Sequence, residues 1–214
     1  PNGVVWGVAQ SGVIRYDDGP PRSFAAPEIQ PHAPDSRFHG GCIDTVGRIW
    51  LVTQSRLLRF DPDAAVFEAV EAPDNPDLAI GGYERIFAGR DGRVWLYLHP
   101  CHLFVHEDAS GWRRIETGYT AEQRLGIRTL LETGPDEVWF GTENALHRIC
   151  KGVRAELTAA DLGAPLYPSA LVPSENGGLW VALRGAGLLH LRPRAVRMLR
   201  SPALSGRQPF YALS

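Results

Sequence analysis

The sequence is short of the features that mark disulfide-rich, membrane-spanning and nucleic-acid-binding proteins. Its 214 residues include three cysteines, an odd number that does not fit a disulfide framework. The 22 lysines and arginines nearly balance 24 aspartates and glutamates, which leaves no basic surface for nucleic acid. No apolar run reaches the ~20 residues that span a bilayer. The chain is therefore predicted to be globular, with no nucleic-acid partner and no membrane-inserted segment.

Motifs of common catalytic and cofactor sites are also missing. The chain contains no Gly-x-Ser-x-Gly, no His-Glu-x-x-His, no phosphate-binding loop and no Gly-x-Gly-x-x-Gly. Without such a motif, nothing in the sequence places a nucleophile beside a base or a phosphate beside a helix. We accordingly predict no catalytic residues, no cofactor and no enzymatic activity.

One stretch, residues 91–108, nevertheless gathers metal-type ligands within eight positions. They are His99, Cys101, His102 and His106. A zinc site needs three or four such ligands converging on one point. His102 and His106 are four residues apart on a predicted strand, about 13 Å at 3.3 Å per residue. A single compact site of all four is therefore not expected, and we predict no metal.

Tryptophan, by contrast, follows a regular pattern. Five of the six tryptophans recur at intervals of 44, 45, 44 and 41 residues. They are Trp6, Trp50, Trp95, Trp139 and Trp180. Similar text surrounds each one, as in VGRIWLVTQSRLLRFD at 46–61 and PDEVWFGTENALHRIC at 135–150. One unit that recurs along the whole chain indicates a repeat architecture.

Each copy of the repeat contains four short strands. A turn such as Asp91-Gly92 precedes the strand with the tryptophan, and a second apolar strand follows, as in LLRF at 57–60. Weaker apolar strands lie on either side of this pair. Four antiparallel strands per ~40–50 residues are typical of a β-propeller blade. The sequence predicts an all-β propeller of about five four-stranded blades in one domain, 1–214, with short helical segments only at 120–125 and 158–162.

The repeat also resembles a known family. The order Asp/Asn-Gly-x-hydrophobic-Trp, then Gly-Thr, then a hydrophobic-Arg-aromatic-Asp strand is similar to the two-component regulator propeller repeat. The copy nearest to it is VWFGTENALHRI at 138–149. The resemblance implies a sensor region of a bacterial signalling protein, periplasmic or extracellular, whose output domain lies outside this chain. Streptogramin-lyase propellers use a similar repeat and are the second family that the sequence resembles.

The first and last copies leave two arrangements of the blades open. The first copy begins near its tryptophan and lacks an innermost strand. Residues 208–214, QPFYALS, match the innermost strand of a further or ring-closing blade. The chain is either a closed five-bladed ring or a fragment of a larger propeller. Because the first residue is Pro1 and not methionine, we favour the fragment.

A ligand site is expected at one mouth of the propeller channel. There the loops into each innermost strand meet the turns between the two middle strands. Aromatic, arginine and amide groups in this position suit carbohydrates, peptides or anions. The predicted ligand-binding residues are Arg37, His39, Arg56, Tyr83, Glu84, His99, His102, Arg124, Glu143, Asn144, Tyr167 and Arg184.

These features lead to a hypothesis of function. The chain is predicted to be a non-enzymatic sensor module that recognises a small molecule, carbohydrate or peptide at the channel mouth. The repeated tryptophans are interpreted as core between blades and not as platforms for sugars. Two alternatives stay open. One is a lyase of the streptogramin-lyase type, which would need an essential, titratable histidine, and the other is a protein-interaction scaffold without a small-molecule site.

Overall fold

A computed structural model describes most of the chain, in two compact units. The described residues are 4–9, 12–27, 37–53, 55–73, 83–123, 125–163, 165–175 and 177–192, without the side chains of residues 83, 84 and 121. Unit 1 is Pro1–Gly126 and unit 2 is Ile127–Ser214. A single domain over 1–214 stays a prediction. No helix among the described residues is long and apolar enough to cross a membrane.

Unit 1 contains three antiparallel sheets, which we number blades 1 to 3 in chain order. Blade 1 consists of β1 (Val5–Ala9), β2 (Gly12–Tyr16) and β3 (Arg22–Ala25). Blade 2 consists of β4 (Gly40–Ile43), β5 (Ile49–Val52), β6 (Leu57–Asp61) and β7 (Val66–Ala69). Blade 3 consists of β8 (Tyr83–Ala88), β9 (Val94–Leu98), β10 (His102–Glu107) and β11 (Gly111–Ile115). In each blade, strands that are consecutive in the sequence pair with one another.

Unit 2 contains blades 4 and 5, in which the strands also follow one another in sequence order. Blade 4 consists of β12 (Thr129–Gly134), β13 (Glu137–Gly141), β14 (Ala145–Cys150) and β15 (Val153–Thr158). Blade 5 consists of β16 (Pro168–Pro173), β17 (Leu179–Leu183) and β18 (Gly187–Leu191). A 3-10 helix, Ala121–Gln123, ends unit 1, and one short α-helix, α1 (Ala159–Leu162), follows β15. The predicted all-β architecture of about five propeller blades is confirmed.

Turn chemistry explains why the strands reverse where they do. Asp91 and Gly92, between β8 and β9, have φ angles of 52° and 77°. Lys151 and Gly152, between β14 and β15, have φ angles of 50° and 75°. Two successive positive φ angles are typical of the tight hairpin turns that match the twist of antiparallel strands. The predicted outer strand at 196–199 and the predicted inner strand at 208–214 lie outside the described residues.

The two faces of a blade have different roles. We call the face that carries the repeated tryptophan the front face and the opposite face the back face. In unit 1 the front face of blade 1 packs on the back face of blade 2, where the rings of Trp6 and Phe60 lie 5.7 Å apart. The front face of blade 2 packs on blade 3, and Trp50, Leu57 and Leu96 lie in the same buried cluster there. Trp6 and Trp50 thus fill the space between consecutive blades of unit 1.

Unit 2 repeats this front-on-back packing. Trp139 on the front face of blade 4 packs against a buried cluster that includes Leu171 and Val181 of blade 5. Leu146 of blade 4 belongs to the same cluster and is 1% exposed. The first strands of successive blades also lie side by side, β4 against β8 in unit 1 and β12 against β16 in unit 2. The same interface therefore occurs independently in both units.

A buried carboxylate fastens the turn between β4 and β5. Asp44 is 4% exposed. Its Oδ2 accepts hydrogen bonds from Trp50 Nε1 at 2.8 Å and from Arg48 Nε at 2.7 Å. Its Oδ1 accepts the backbone N–H groups of Val46 at 3.1 Å and Arg48 at 2.9 Å. Arg48 Nη1 also donates to Asp108 Oδ2 of blade 3 at 2.8 Å. Asp44 and Arg48 together therefore connect the β4–β5 turn with Trp50 and with blade 3.

Candidate functional site

The predicted site residues that the structure describes lie at one end of blades 2 to 5, which we call the loop end. It comprises the turn between the second and third strands and the segment that leads into the first strand. Seven of the predicted residues are exposed there: Arg37, His39, Arg56, Glu143, Asn144, Tyr167 and Arg184. His99 is half-buried, whereas His102 is only 5% exposed. The side chains of Tyr83, Glu84 and Arg124 lie outside the described residues.

In blade 2 the loop end is fixed by backbone hydrogen bonds. The His39 N–H donates to the Val52 carbonyl at 2.8 Å, which extends the β4–β5 pairing by one residue. The Thr53 N–H donates to the Arg56 carbonyl at 2.9 Å, which closes the turn before β6. The side chains of His39 and Arg56 are exposed. A rigid backbone therefore presents two nitrogen-bearing side chains to solvent, an arrangement suited to anionic or hydroxyl-rich ligands.

The loop end of blade 3 is held by several hydrogen bonds around Tyr97. The sequence analysis did not predict a role for this residue. The Tyr97 hydroxyl donates to the Pro100 carbonyl at 2.9 Å and accepts the Gly126 N–H at 2.9 Å. The Leu125 N–H also donates to the Pro100 carbonyl, at 2.8 Å. Thr117 Oγ1 donates to the Cys101 carbonyl at 3.2 Å. The one available signal was that Tyr97 stands where the other copies carry valine, glycine or alanine.

The histidine- and cysteine-rich stretch divides among three environments. His99 and Cys101 lie in the braced turn, and His102 is buried at the start of β10. His106 packs between Trp50 and Trp112, with ring centroids 5.2 Å and 4.9 Å away. Burial lowers the pKa of His106 and favours its neutral form. No group of three or more His, Cys, Asp or Glu side chains in the described part of the chain could hold a metal ion.

In unit 2 the loop ends of blades 4 and 5 follow the same plan. The Arg128 N–H donates to the Gly141 carbonyl at 2.8 Å, and its guanidinium pairs with Glu143. The Arg184 N–H donates to the Tyr167 carbonyl at 2.9 Å. Tyr167 is 50% exposed, so an aromatic face and a guanidinium are available together on blade 5. This pairing can bind planar or anionic groups.

Behind the loop end of blade 4, a buried histidine is expected to make stability depend on pH. His147 is 2% exposed, its Nε2 lies 3.3 Å from Thr142 Oγ1, and its ring stacks on Phe140 at 4.9 Å. Burial, and then the charge of Arg154, lower the pKa of His147 to about 4. Because the unfolded chain takes up the proton at higher pH, the free energy of unfolding should fall as the pH drops from about 6.5 towards 4.

This prediction can be checked by urea denaturation at a series of pH values. The His147→Gln variant should show a shallower decline of the unfolding free energy across the same pH range. It keeps a polar group near Thr142 but does not titrate. Parallel pH profiles for the variant and the wild type would contradict the assignment.

Comparison with known proteins bears on the fold. No protein-family model matches the sequence, and no curated protein matches it. A catalytically inactive variant of virginiamycin B lyase from Staphylococcus aureus, crystallised with quinupristin, is similar in structure. The TM-score is 0.62 and the identity 18%, over 89% of this chain and 67% of the lyase chain.

Two further structures represent non-lyase proteins. The extracellular domain of the hybrid two-component system BT4673 from B. thetaiotaomicron has a TM-score of 0.66 and 15% identity, over 91% of this chain and 26% of its own. YCF48 bound to D1 peptide has a TM-score of 0.65 and 14% identity, over 91% of this chain and 62% of its own. This chain thus spans about two thirds of the lyase chain and about a quarter of the two-component chain.

At these identities the likeness shows the fold. Both resemblances predicted from the sequence, to two-component sensor propellers and to streptogramin-lyase propellers, are confirmed at that level. The similar structures include extracellular domains of signalling proteins, a lyase and a peptide-bound protein. The chain is therefore a β-propeller module, and seven of the predicted ligand-binding residues are exposed at the loop ends of its blades.

Proposed function

We propose that the chain is the recognition module of a signalling protein, and that it binds its ligand at the loop ends of its blades without catalysing a reaction. The observation that carries the proposal is the combination of braced backbone and exposed side chains at these ends. In blades 2 and 4 the segment that leads into the first strand donates a backbone hydrogen bond to the second strand. In blade 5 the same segment accepts a backbone hydrogen bond from the turn that follows the second strand. Such a preorganised backbone loses little further entropy when a ligand binds to the side chains that it carries.

The ligand class follows from the groups at the loop ends. Exposed Arg56 and His39 in unit 1, and Tyr167 and Arg184 in unit 2, offer donors and one aromatic face. Carbohydrates and peptides present hydroxyl, carbonyl and carboxylate groups that match such donors. The peptide-bound YCF48 structure supports the inclusion of peptides among the probes. Likeness to the two-component sensor domain supports an extracellular or periplasmic location and an output domain outside this chain.

A binding experiment tests this proposal. Oligosaccharides and short peptides of defined sequence are screened by thermal shift, and dissociation constants are measured by calorimetry for those that stabilise the protein. Loss of a contacting side chain should weaken binding about tenfold or more, in Arg56→Ala for a ligand that binds unit 1 and in Arg184→Ala for a ligand that binds unit 2. The control Arg113→Ala changes an arginine on the outer strand β11 whose side chain is 60% exposed, and it should leave binding unchanged.

The same experiment separates the binding module from the lyase alternative. After prolonged incubation, mass spectrometry should recover the bound probe with its mass unchanged. A cleaved probe would establish an enzyme and overturn the non-catalytic part of the proposal. Equal weakening by the loop-end variants and by Arg113→Ala would overturn the location of the site.

A further inference from the structure

Among the described residues, one front face and one back face are exposed, although the corresponding faces of other blades are buried. The first is the front face of blade 5 in unit 2. Val172, Trp180 and Leu188 on this face are 55%, 40% and 71% exposed. Trp180 is stacked on its cross-strand partner His190, with ring centroids 3.9 Å apart and planes within 7°, so the two rings form one packed pair on this face. Contiguous apolar surface of this kind marks an interaction site.

Strand register shows which buried face in unit 1 corresponds to it. Trp180 pairs with Val172 across β16 and β17 as Trp50 pairs with Cys42 across β4 and β5. Leu188 pairs with Ala182 as Leu57 pairs with Val52. Trp50 and Leu57 are 0% and 2% exposed, because blade 3 covers them. The front face of blade 5 thus has the residues of a blade interface, and no blade among the described residues of unit 2 covers it.

The second exposed face is the back face of blade 1 in unit 1. Val5 and Tyr16 pair with each other across β1 and β2 and are 63% and 43% exposed. The Tyr16 ring lies over Gly7. Its Cε2 atom is 3.2 Å from the point that a Cβ atom would occupy if residue 7 had a side chain. The corresponding residues of blade 2, Ile49 and Phe60, pair in the same register and are 2% and 0% exposed. This face corresponds to the surface that receives a tryptophan-bearing front face in blade 2.

We propose that the front face of blade 5 in one copy of this chain binds the back face of blade 1 in a second copy. Each chain carries both halves of the front-on-back interface that already occurs inside unit 1 and inside unit 2. Such an interface is heterologous, because different surfaces of the two copies meet, and it joins copies head to tail. The two faces match in chemistry. Val5 and Tyr16 on the back face are exposed and apolar or aromatic, as are Val172, Trp180 and Leu188 on the front face.

Sedimentation velocity over a concentration series tests the proposal with the whole chain. The wild type should form dimers or larger assemblies as its concentration rises. Leu188→Glu on the front face and Val5→Glu on the back face should each weaken association by more than about 30-fold. Both residues are mainly exposed, so the substitutions leave the fold intact, which circular dichroism verifies. Val153→Glu, at a 70% exposed valine of β15, should associate like the wild type.

A mixing experiment distinguishes this interface from non-specific association. Leu188→Glu retains the back face and Val5→Glu retains the front face. An equimolar mixture should therefore form a dimer and stop there, although each variant alone is monomeric. A wild type that stays monomeric at every concentration would overturn the proposal. A mixture that stays monomeric, or a Val153→Glu variant that is equally impaired, would overturn it as well.

Discussion

Replacing Asp44 with alanine should lower the free energy of unfolding by about 3–5 kcal/mol. The carboxylate is buried and accepts four hydrogen bonds, two from backbone N–H groups, one from Trp50 and one from Arg48. Alanine would leave the Trp50 indole N–H and the Arg48 Nε–H without their acceptor, in a place that water enters poorly. A buried polar group that loses its partner costs about 1–3 kcal/mol, and a charged group costs more.

The second partner of Arg48 provides a matched control. Asp108 accepts a hydrogen bond from the same guanidinium at 2.8 Å, but its side chain is 56% exposed. Exposed ion pairs contribute about 0–1 kcal/mol, so Asp108→Ala should change the unfolding free energy by no more than that. Urea denaturation of the wild type and both variants measures the difference. Equal losses for the two variants would show that the interaction with Arg48, and not the burial of Asp44, determines stability.

The importance of Asp44 was not visible in the sequence, although the fold was. Period, turn dipeptides and apolar alternation are local signals, and they placed the strands of all five blades in the described part of the chain. Asp44 lies six residues before Trp50, but the corresponding positions of three later copies hold glycine, threonine and serine. An aspartate that the later copies do not share leaves no periodic trace, so pattern analysis cannot find it.

The loop ends were also only partly predictable. Topology predicted that the turns, and the segments that lead into the first strands, lie at one end of a blade. The predicted residues Arg37, His39 and Arg56 are exposed at this end of blade 2, and Arg184 is exposed at this end of blade 5. The brace around Tyr97 was missed because it joins residues 29 positions apart in sequence, through the Gly126 N–H. His102 has the residue type of a ligand-binding group, but strand β10 carries it into the interior. Residue type and topology thus locate a site, whereas long-range packing decides which side chains reach solvent.

Replacing Phe60 with alanine should lower the free energy of unfolding by about 3–5 kcal/mol, comparable with the loss of Asp44. Phe60 is 0% exposed on the back face of blade 2. Its ring lies 5.7 Å from Trp6, 5.2 Å from Phe24 and 4.6 Å from Phe67, so both blades of this interface contact it. Alanine would remove the shared ring of this cluster and leave a cavity between blades 1 and 2.

The repeat supplies an internal control for this prediction. Tyr16 occupies in blade 1 the position that Phe60 occupies in blade 2, but it is 43% exposed. Tyr16→Ala should therefore cost no more than about 1 kcal/mol in the monomer, because a half-exposed ring loses less contact. Urea denaturation at low protein concentration measures both variants. Equal losses of unfolding free energy in the two variants would show that the position of the ring within its own blade determines the loss. The packing of one blade on the next would then contribute little to stability.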